Sequence, residues 1–170
     1  MGESDKLDSI RERAGALSRD EALALTDYPD LARLSAAARE LRDAAHGELI
    51  TYSPKVFIPL TQLCRDVCHY CTFSKAPKHG PAYLPLDEVK QIAADGARVG
   101  CHEALFTLGD KPELRYRKAR AALEKLGFET TTDYLIAASQ HVLTETGMLP
   151  HVNPGVLTHD ELARLREVSV

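Results

Sequence analysis

Three short apolar runs, at residues 56–60, 104–108 and 149–155, are separated by stretches with helical periodicity. That alternation constrains the fold more than any other feature of the chain. The first run holds Val56, Phe57 and Ile58, β-branched and aromatic without a polar break. Such a run predicts a strand buried on both faces, with Pro59 near its end where the ladder can lose a donor. Between the runs, residues 86–99 predict a helix: Asp87 and Glu88 suit its positive N-terminus, and Val89, Ile92, Ala93 and Ala97 line one face. Residues 114–126 predict a second helix closed by Gly127, and residues 132–146 a third, with Leu135, Ile136, Ser139, Val142 and Leu143 on one side. Thr158 and Glu161 form a capping box that opens a helix running to Arg166, and residues 168–170 read as a fourth strand beginning. The order β-α-β-α-α-β-α-(β) predicts an α/β fold of parallel strands joined by right-handed helical crossovers.

The first 48 residues differ from the rest. Ser18 and Glu21 make another capping box, opening a short helix that ends near Tyr28 and Pro29. Leu31, Leu34, Ala38 and Leu41 then recur at helical spacing, and Gly47 is a stop signal. We expect residues 1–48 to be an N-terminal helical extension that packs without doing chemistry. Residues 49–170 would form the α/β part. A chain of 170 residues has room for one domain and not for two large ones.

The chemistry concentrates directly after the first strand. Cys64, Cys68 and Cys71 lie within eight residues at the spacing C-x₃-C-x₂-C. Clustered cysteines in a chain of this kind are metal ligands more often than disulfide partners. An iron–sulfur cluster of four irons takes four thiolates as a rule, so three would leave one iron open. Two other readings remain. The spacing i, i+4, i+7 also marks one helix face, but Asp66, His69 and Thr72 are poor company for an apolar stripe. Zinc also takes thiolates, usually from two close pairs, and no second pair exists here. Cys101 stands alone and reads as a small buried hydrophobe, with a fourth ligand as the lesser reading.

In parallel α/β folds ligands gather at the C-terminal ends of strands. The cysteines follow strand one, Gly109 and Asp110 follow strand two, and Asn153 follows strand three, so all would share one rim. Glu113 lies near that rim, where it suits a ligand contact or a helix start equally well. Lys78 and His79, in the breaker-rich loop of residues 72–85, read as solvated loop residues. No side chain is identified as a catalytic acid or base. Three strands and the start of a fourth leave both sheet edges open, so we expect a fragment of a longer barrel rather than a chain completed by a partner.

The formal net charge of −4 gives no case for nucleic acid or an anionic membrane as partner. The apolar runs are far short of a membrane span, and the polar start Met1-Gly2-Glu3-Ser4 lacks a signal core. A cytoplasmic location is the expectation.

C-x₃-C-x₂-C after a first strand, with Tyr70 before the last cysteine, resembles the radical S-adenosylmethionine (SAM) superfamily. The resemblance implies a partial (β/α) barrel in which Cys64, Cys68 and Cys71 hold a [4Fe–4S] cluster whose open iron binds S-adenosyl-L-methionine. One electron then splits the sulfonium and releases a 5′-deoxyadenosyl radical. By the same resemblance Tyr70 and Phe73 border the adenine. Leu108-Gly109-Asp110 takes the place of a glycine-glycine-acid motif whose backbone meets the methionyl amino group, with Leu108 departing from the usual glycine. Residues 56–66, 69–73, 103–113 and 149–155 together resemble the deazaflavin-forming FO synthases, in particular their ring-closing subunit or N-terminal half. That implies a radical SAM lyase forming 7,8-didemethyl-8-hydroxy-5-deazariboflavin from 5-amino-5-(4-hydroxybenzyl)-6-(D-ribitylimino)-5,6-dihydrouracil, with release of ammonia. The implied partners are this ribityl-uracil substrate, a flavodoxin- or ferredoxin-type electron donor, and a companion synthase as separate subunit or fused domain. The alternatives are another radical SAM enzyme, such as the companion tyrosine-using synthase or a menaquinone-pathway relative, and a non-catalytic cluster- or zinc-binding fragment.

Overall fold

The structure, a computed structural model, describes residues 3–13 and 16–170. It divides into two compact units, residues 1–52 and 53–170. The first unit is helical. It contains α1 (Glu3–Glu12), α2 (Arg19–Ala24) running into a 3-10 turn (Leu25–Asp27), and α3 (Leu31–His46). The Ser18–Glu21 capping box forms as expected, and Asp30 caps α3 by accepting from the Arg33 N–H. Helix α1 packs on α3, with Arg11 paired to Glu40 and Arg33 to Asp8. These pairs are exposed and contribute little each.

The second unit is built on a parallel sheet of β1 (Lys55–Thr61), β2 (Glu103–Leu108) and β3 (Leu149–Asn153), in that order across the sheet. Four helices complete the unit: α4 (Leu86–Arg98), α5 (Arg117–Leu126), α6 (Thr131–Thr146) and α7 (His159–Arg166). Pro59 and Pro150 lie on the two outer strands, where a missing N–H leaves no central ladder bond unmade. Ile58, Leu60, Ala104 and Phe106 point to one face and are fully buried. They pack with Val89 and Ala93 of α4, Leu123 of α5, and Tyr134, Leu135, Ala138 and Val142 of α6. Burying a side chain of this size stabilises by roughly 1.5–3 kcal/mol, so this face carries most of the unit's stability.

Three expectations need correction. Strand β1 is not buried on both faces: Phe57, on the side away from Ile58, is 50% exposed. The apolar run is continuous, but the core described here covers only one side of it. The helix expected from Leu114 begins at Arg117 instead. Residues Pro112–Leu114 form a 3-10 turn, and Tyr116 is extended, so the chain breaks before α5. Residues 168–170 form no strand, although the Val170 N–H donates to the Pro150 carbonyl of β3 at 2.8 Å.

One irregularity prepares the site. The β1–β2 register slips between Pro59 and Thr61, so Thr61 is buried beside Leu60 rather than alternating with it. The Thr61 hydroxyl donates to the Ala82 carbonyl at 2.6 Å and accepts from the Leu63 N–H at 3.1 Å. Its carbonyl accepts from the Gly109 N–H at 3.0 Å. The bulge therefore ties the start of the cysteine loop to the end of β2. At the opposite end of the sheet, Lys55 and Ser53 donate to the Glu103 carboxylate, which also meets His151 Nδ1 at 2.9 Å. Lys55, then Ser53, then His151 hold the Glu103 carboxyl down at about 2.

Candidate active site

The three loops expected to share a rim do share it. The cysteine loop leaves β1, Gly109-Asp110 leaves β2, and residues 154–156 leave β3, all at the C-terminal strand ends. Cys64 is half-buried, and its Sγ accepts the Asp66 N–H at 3.4 Å and the Asp110 N–H at 3.2 Å. Backbone N–H groups aimed at sulfur are one of the levers by which proteins stabilise thiolates and tune iron–sulfur centres. Cys68 and Cys71 are exposed, with the Cys71 N–H turned back onto the Cys68 carbonyl at 3.1 Å. Among the described residues no three His, Cys, Asp or Glu side chains stand gathered as a metal-holding group. The loop thus carries its three thiols together in sequence and on one rim, with Cys64 anchored and the other two in solvent. That donor set, one N–H-supported thiol and two accessible ones, fits a cluster held by three thiolates. Cys101 does not belong to it. It precedes β2, whereas the cysteine loop follows β1, so the strand length puts it roughly 20 Å away.

Leu108, Gly109 and Asp110 take different roles. The Leu108 side chain is 7% exposed in the helix-side core, so only its backbone reaches the rim. Gly109 is where the cysteine loop crosses β2: a Cβ there would stand 1.9 Å from the Leu63 carbonyl oxygen and 2.7 Å from Cys64 Cβ. Asp110 is buried, and its carboxylate accepts from Arg65 Nε and from the Val156 N–H. Phe73 packs edge-on against Phe57, ring centres 6.2 Å apart, while Tyr70 is 89% exposed.

Glu113 turns inward, which decides between its two readings. Its carboxylate accepts from the Thr131 backbone N–H at 3.1 Å and from the Thr131 hydroxyl, so it caps the start of α6 from another segment. Tyr83 continues the chain, its hydroxyl 2.7 Å from Thr131 Oγ1. Burial, the largest influence, pushes the Tyr83 phenol up, and the Glu113 charge adds to it against the Thr131 bond. Asn153 is exposed at the end of β3. Lys78 and His79 are exposed too, and His79 borders a cleft of about 230 Å³ between the end of β1 and the returning loop. Lys118 of α5, which sequence reasoning did not single out, pins that loop by donating to the Pro77 and Gly80 carbonyls at 2.6 and 2.7 Å.

A second pin crosses the rim. Lys111, at φ 33°, donates to Glu161 of α7 at 2.7 Å. Glu161 also closes its capping box on the Thr158 N–H at 2.7 Å and accepts from Thr132. Burial opposes ionisation of Glu161, but Lys111, Thr158 and Thr132 outweigh it and hold its carboxyl at about 2. A lowered carboxyl contributes stability that is complete above its unfolded value near 4.5 and lost as pH falls toward 2. Glu161→Ala should cost about 1 kcal/mol at pH 7, the usual cost of losing a cap. Urea unfolding of the variant should show a shallower loss of stability between those two pH values than the parent.

Comparisons with known proteins bear on the chain as a whole. No family model matches the chain. By structure it is similar to HydG, a maturase of the [FeFe]-hydrogenase, with a TM-score of 0.63, 18% identity, and coverage of 98% of this chain and 36% of that one. It is also similar to methylornithine synthase (PylB), with a TM-score of 0.53, 20% identity, and coverage of 96% and 41%. These likenesses give the fold: the chain shares its α/β architecture with part of each of these two proteins. In sequence the chain is 49% identical over 94% of its length to the FO synthase of Nocardia farcinica, and 46% identical over 94% to that of Mycobacterium tuberculosis. It is 44% identical over 69% of its length to the 7,8-didemethyl-8-hydroxy-5-deazariboflavin synthase of Methanopyrus kandleri, covering 36% of that protein. The chain is thus similar to the FO synthases over nearly all of its own length, while it spans about a fifth of the length of the Nocardia and Mycobacterium proteins.

Proposed function

We propose that the protein forms 7,8-didemethyl-8-hydroxy-5-deazariboflavin as a radical SAM lyase, closing the deazaflavin ring of a hydroxybenzylated ribityl-uracil. The observation that supports it most is the cysteine loop on the strand rim beside Gly109-Asp110, in a chain nearly half identical to FO synthases. In this reading Cys64, Cys68 and Cys71 hold a [4Fe–4S] cluster, and S-adenosyl-L-methionine lies across it. Phe73 and Tyr70 flank the adenine, and the backbone of Leu108-Gly109-Asp110 meets the methionyl amino group. When bound, the cluster supplies the electron that cleaves S-adenosylmethionine and starts radical chemistry. The chain's own residues orient and shield. The Asp110 and Asp66 N–H groups support the Cys64 thiolate, and Gly109 lets the loop lie flat on the strand end. Phe57 and Phe73 pack edge-on and present apolar surface beside the cysteine loop.

The electron donor would be of flavodoxin or ferredoxin type, and the companion synthase a separate subunit or a fused domain. The low coverage of the longer relatives supports the fused arrangement. No described helix is long and apolar enough to cross a membrane, and we propose a cytoplasmic location.

The test is anaerobic reconstitution of the full-length protein with iron and sulfide, followed by assay with S-adenosylmethionine, a reductant and the adduct. We expect about four irons per chain, the stoichiometry of a [4Fe–4S] centre, and FO fluorescence. Deoxyadenosine release without FO would move the protein to another radical SAM reaction. One zinc and no chromophore would overturn the enzyme reading altogether.

A further inference from the structure

Every polar group of Asp110 is engaged: three of its bonds run to the cysteine loop and the fourth to the loop after β3. Its backbone N–H donates to Cys64 Sγ at 3.2 Å, and its carbonyl accepts the Arg65 N–H at 2.9 Å. One carboxylate oxygen accepts from Arg65 Nε, and the other accepts the Val156 N–H at 3.2 Å. The side chain is enclosed as well: a Cβ on Gly155, itself at φ +84°, would come within 2.9 Å of Asp110 Oδ1. Arg115 adds a brace by donating to the Arg65 carbonyl at 2.7 Å. No other described residue bonds to both the cysteine loop and the loop after β3.

We infer that Asp110 is a positioning residue whose side chain locks the cysteine loop to the loops after β2 and β3, and so sets the place of the Cys64 thiolate. The inference rests on the cluster-ligand reading of Cys64. It differs from a ligand contact, because a carboxylate gripped by Arg65 and Val156 has its acceptors turned into the protein. It also differs from a plain buried ion pair. Such pairs are weak evidence for stability, whereas this one shares its residues with the N–H that supports sulfur. Losing the grip frees the residue 65–66 turn and misaims the Asp110 N–H, so the sulfur loses both order and one donor. Outer partners of metal ligands typically carry 10–100-fold effects on metal affinity or activity.

Two measurements test this. The first is alkylation of the metal-free full-length protein, followed site by site by mass spectrometry. Asp110→Ala and Arg65→Gln should each raise the Cys64 rate about 10-fold, a local opening. Cys101, half-buried at the far end of the sheet, should not change. Asp110→Asn keeps an acceptor for Val156 while losing the Arg65 pair, and should fall between. Glu103→Gln, which loosens the other end of the same strand, should leave Cys64 unchanged. The second measurement is the midpoint potential of the reconstituted protein, which should fall in Arg65→Gln because a donor to sulfur is weakened. Arg65 is a partly exposed side chain, so this variant keeps the test open should Asp110→Ala fail to fold. Cys64 and Cys101 rates rising together would show a merely structural role and overturn the inference, as would an unchanged Cys64 rate in Arg65→Gln. If the parent protein takes up no iron, the cluster reading fails separately, and the alkylation ratio still judges the brace.

Discussion

Gly109→Ala is expected to destabilise the second unit by about 3 kcal/mol or more and to abolish cluster uptake. The clash of 1.9 Å is with the Leu63 carbonyl oxygen, which is backbone and has no rotamer to escape into. Relief requires either the cysteine loop to lift off β2 or β2 to retreat from β1. The first breaks the Asp110 N–H bond to Cys64 and the Gly109 bond to Thr61. The second opens the core at Phe106 and Leu60. Effects of this size come from a short list of mechanisms, of which forced overpacking against backbone is one. Urea unfolding followed by circular dichroism, together with iron analysis after reconstitution, checks both halves. A variant with parental stability and full iron would show that the loop does not cross the strand as described.

The second large effect is chemical. Alanine at Cys64, Cys68 or Cys71 should each remove the iron chromophore and reduce FO formation by more than about 100-fold, beyond the 10–100-fold typical of outer-shell partners. The three should be equivalent in iron content although they differ in setting, since Cys64 is half-buried and the other two are exposed. They should differ in stability: Cys64→Ala loses a sulfur that accepts two backbone N–H groups, while the exposed pair costs little. Cys101→Ala is the control, with full iron and a small loss from packing. Iron retained in any one of the three variants would point to a fourth ligand elsewhere, and full iron in all three would end the cluster reading.

Much of the architecture was legible because its signals are local. Apolar runs with β-branched residues marked the three strands, and Ser18 and Thr158 with their partner glutamates marked two helix starts. The rim followed from parallel topology, since successive strands point the same way and their following loops must meet. The errors came where burial depends on what covers an element. The run at Val56–Ile58 cannot report that the Phe57 side of the sheet lacks a layer in this unit. The break before α5 was missed because Arg115 and Tyr116 are unremarkable in a helix, and only the turn at Pro112 decides otherwise.

By itself the sequence determined the strand–helix order and the three-thiol loop, because each depends on residues close together in the chain, and the shared rim followed from that order through parallel topology. The tertiary structure alone decided what the acids do. Glu113 and Asp110 lie three residues apart and look alike as candidate rim ligands. One is turned to the start of α6 and the other is gripped by Arg65 and Val156. Those partners are 18 to 46 residues distant in sequence. A carboxylate's role is set by the donors that surround it, and donors that far along the chain are brought together only when the sheet forms.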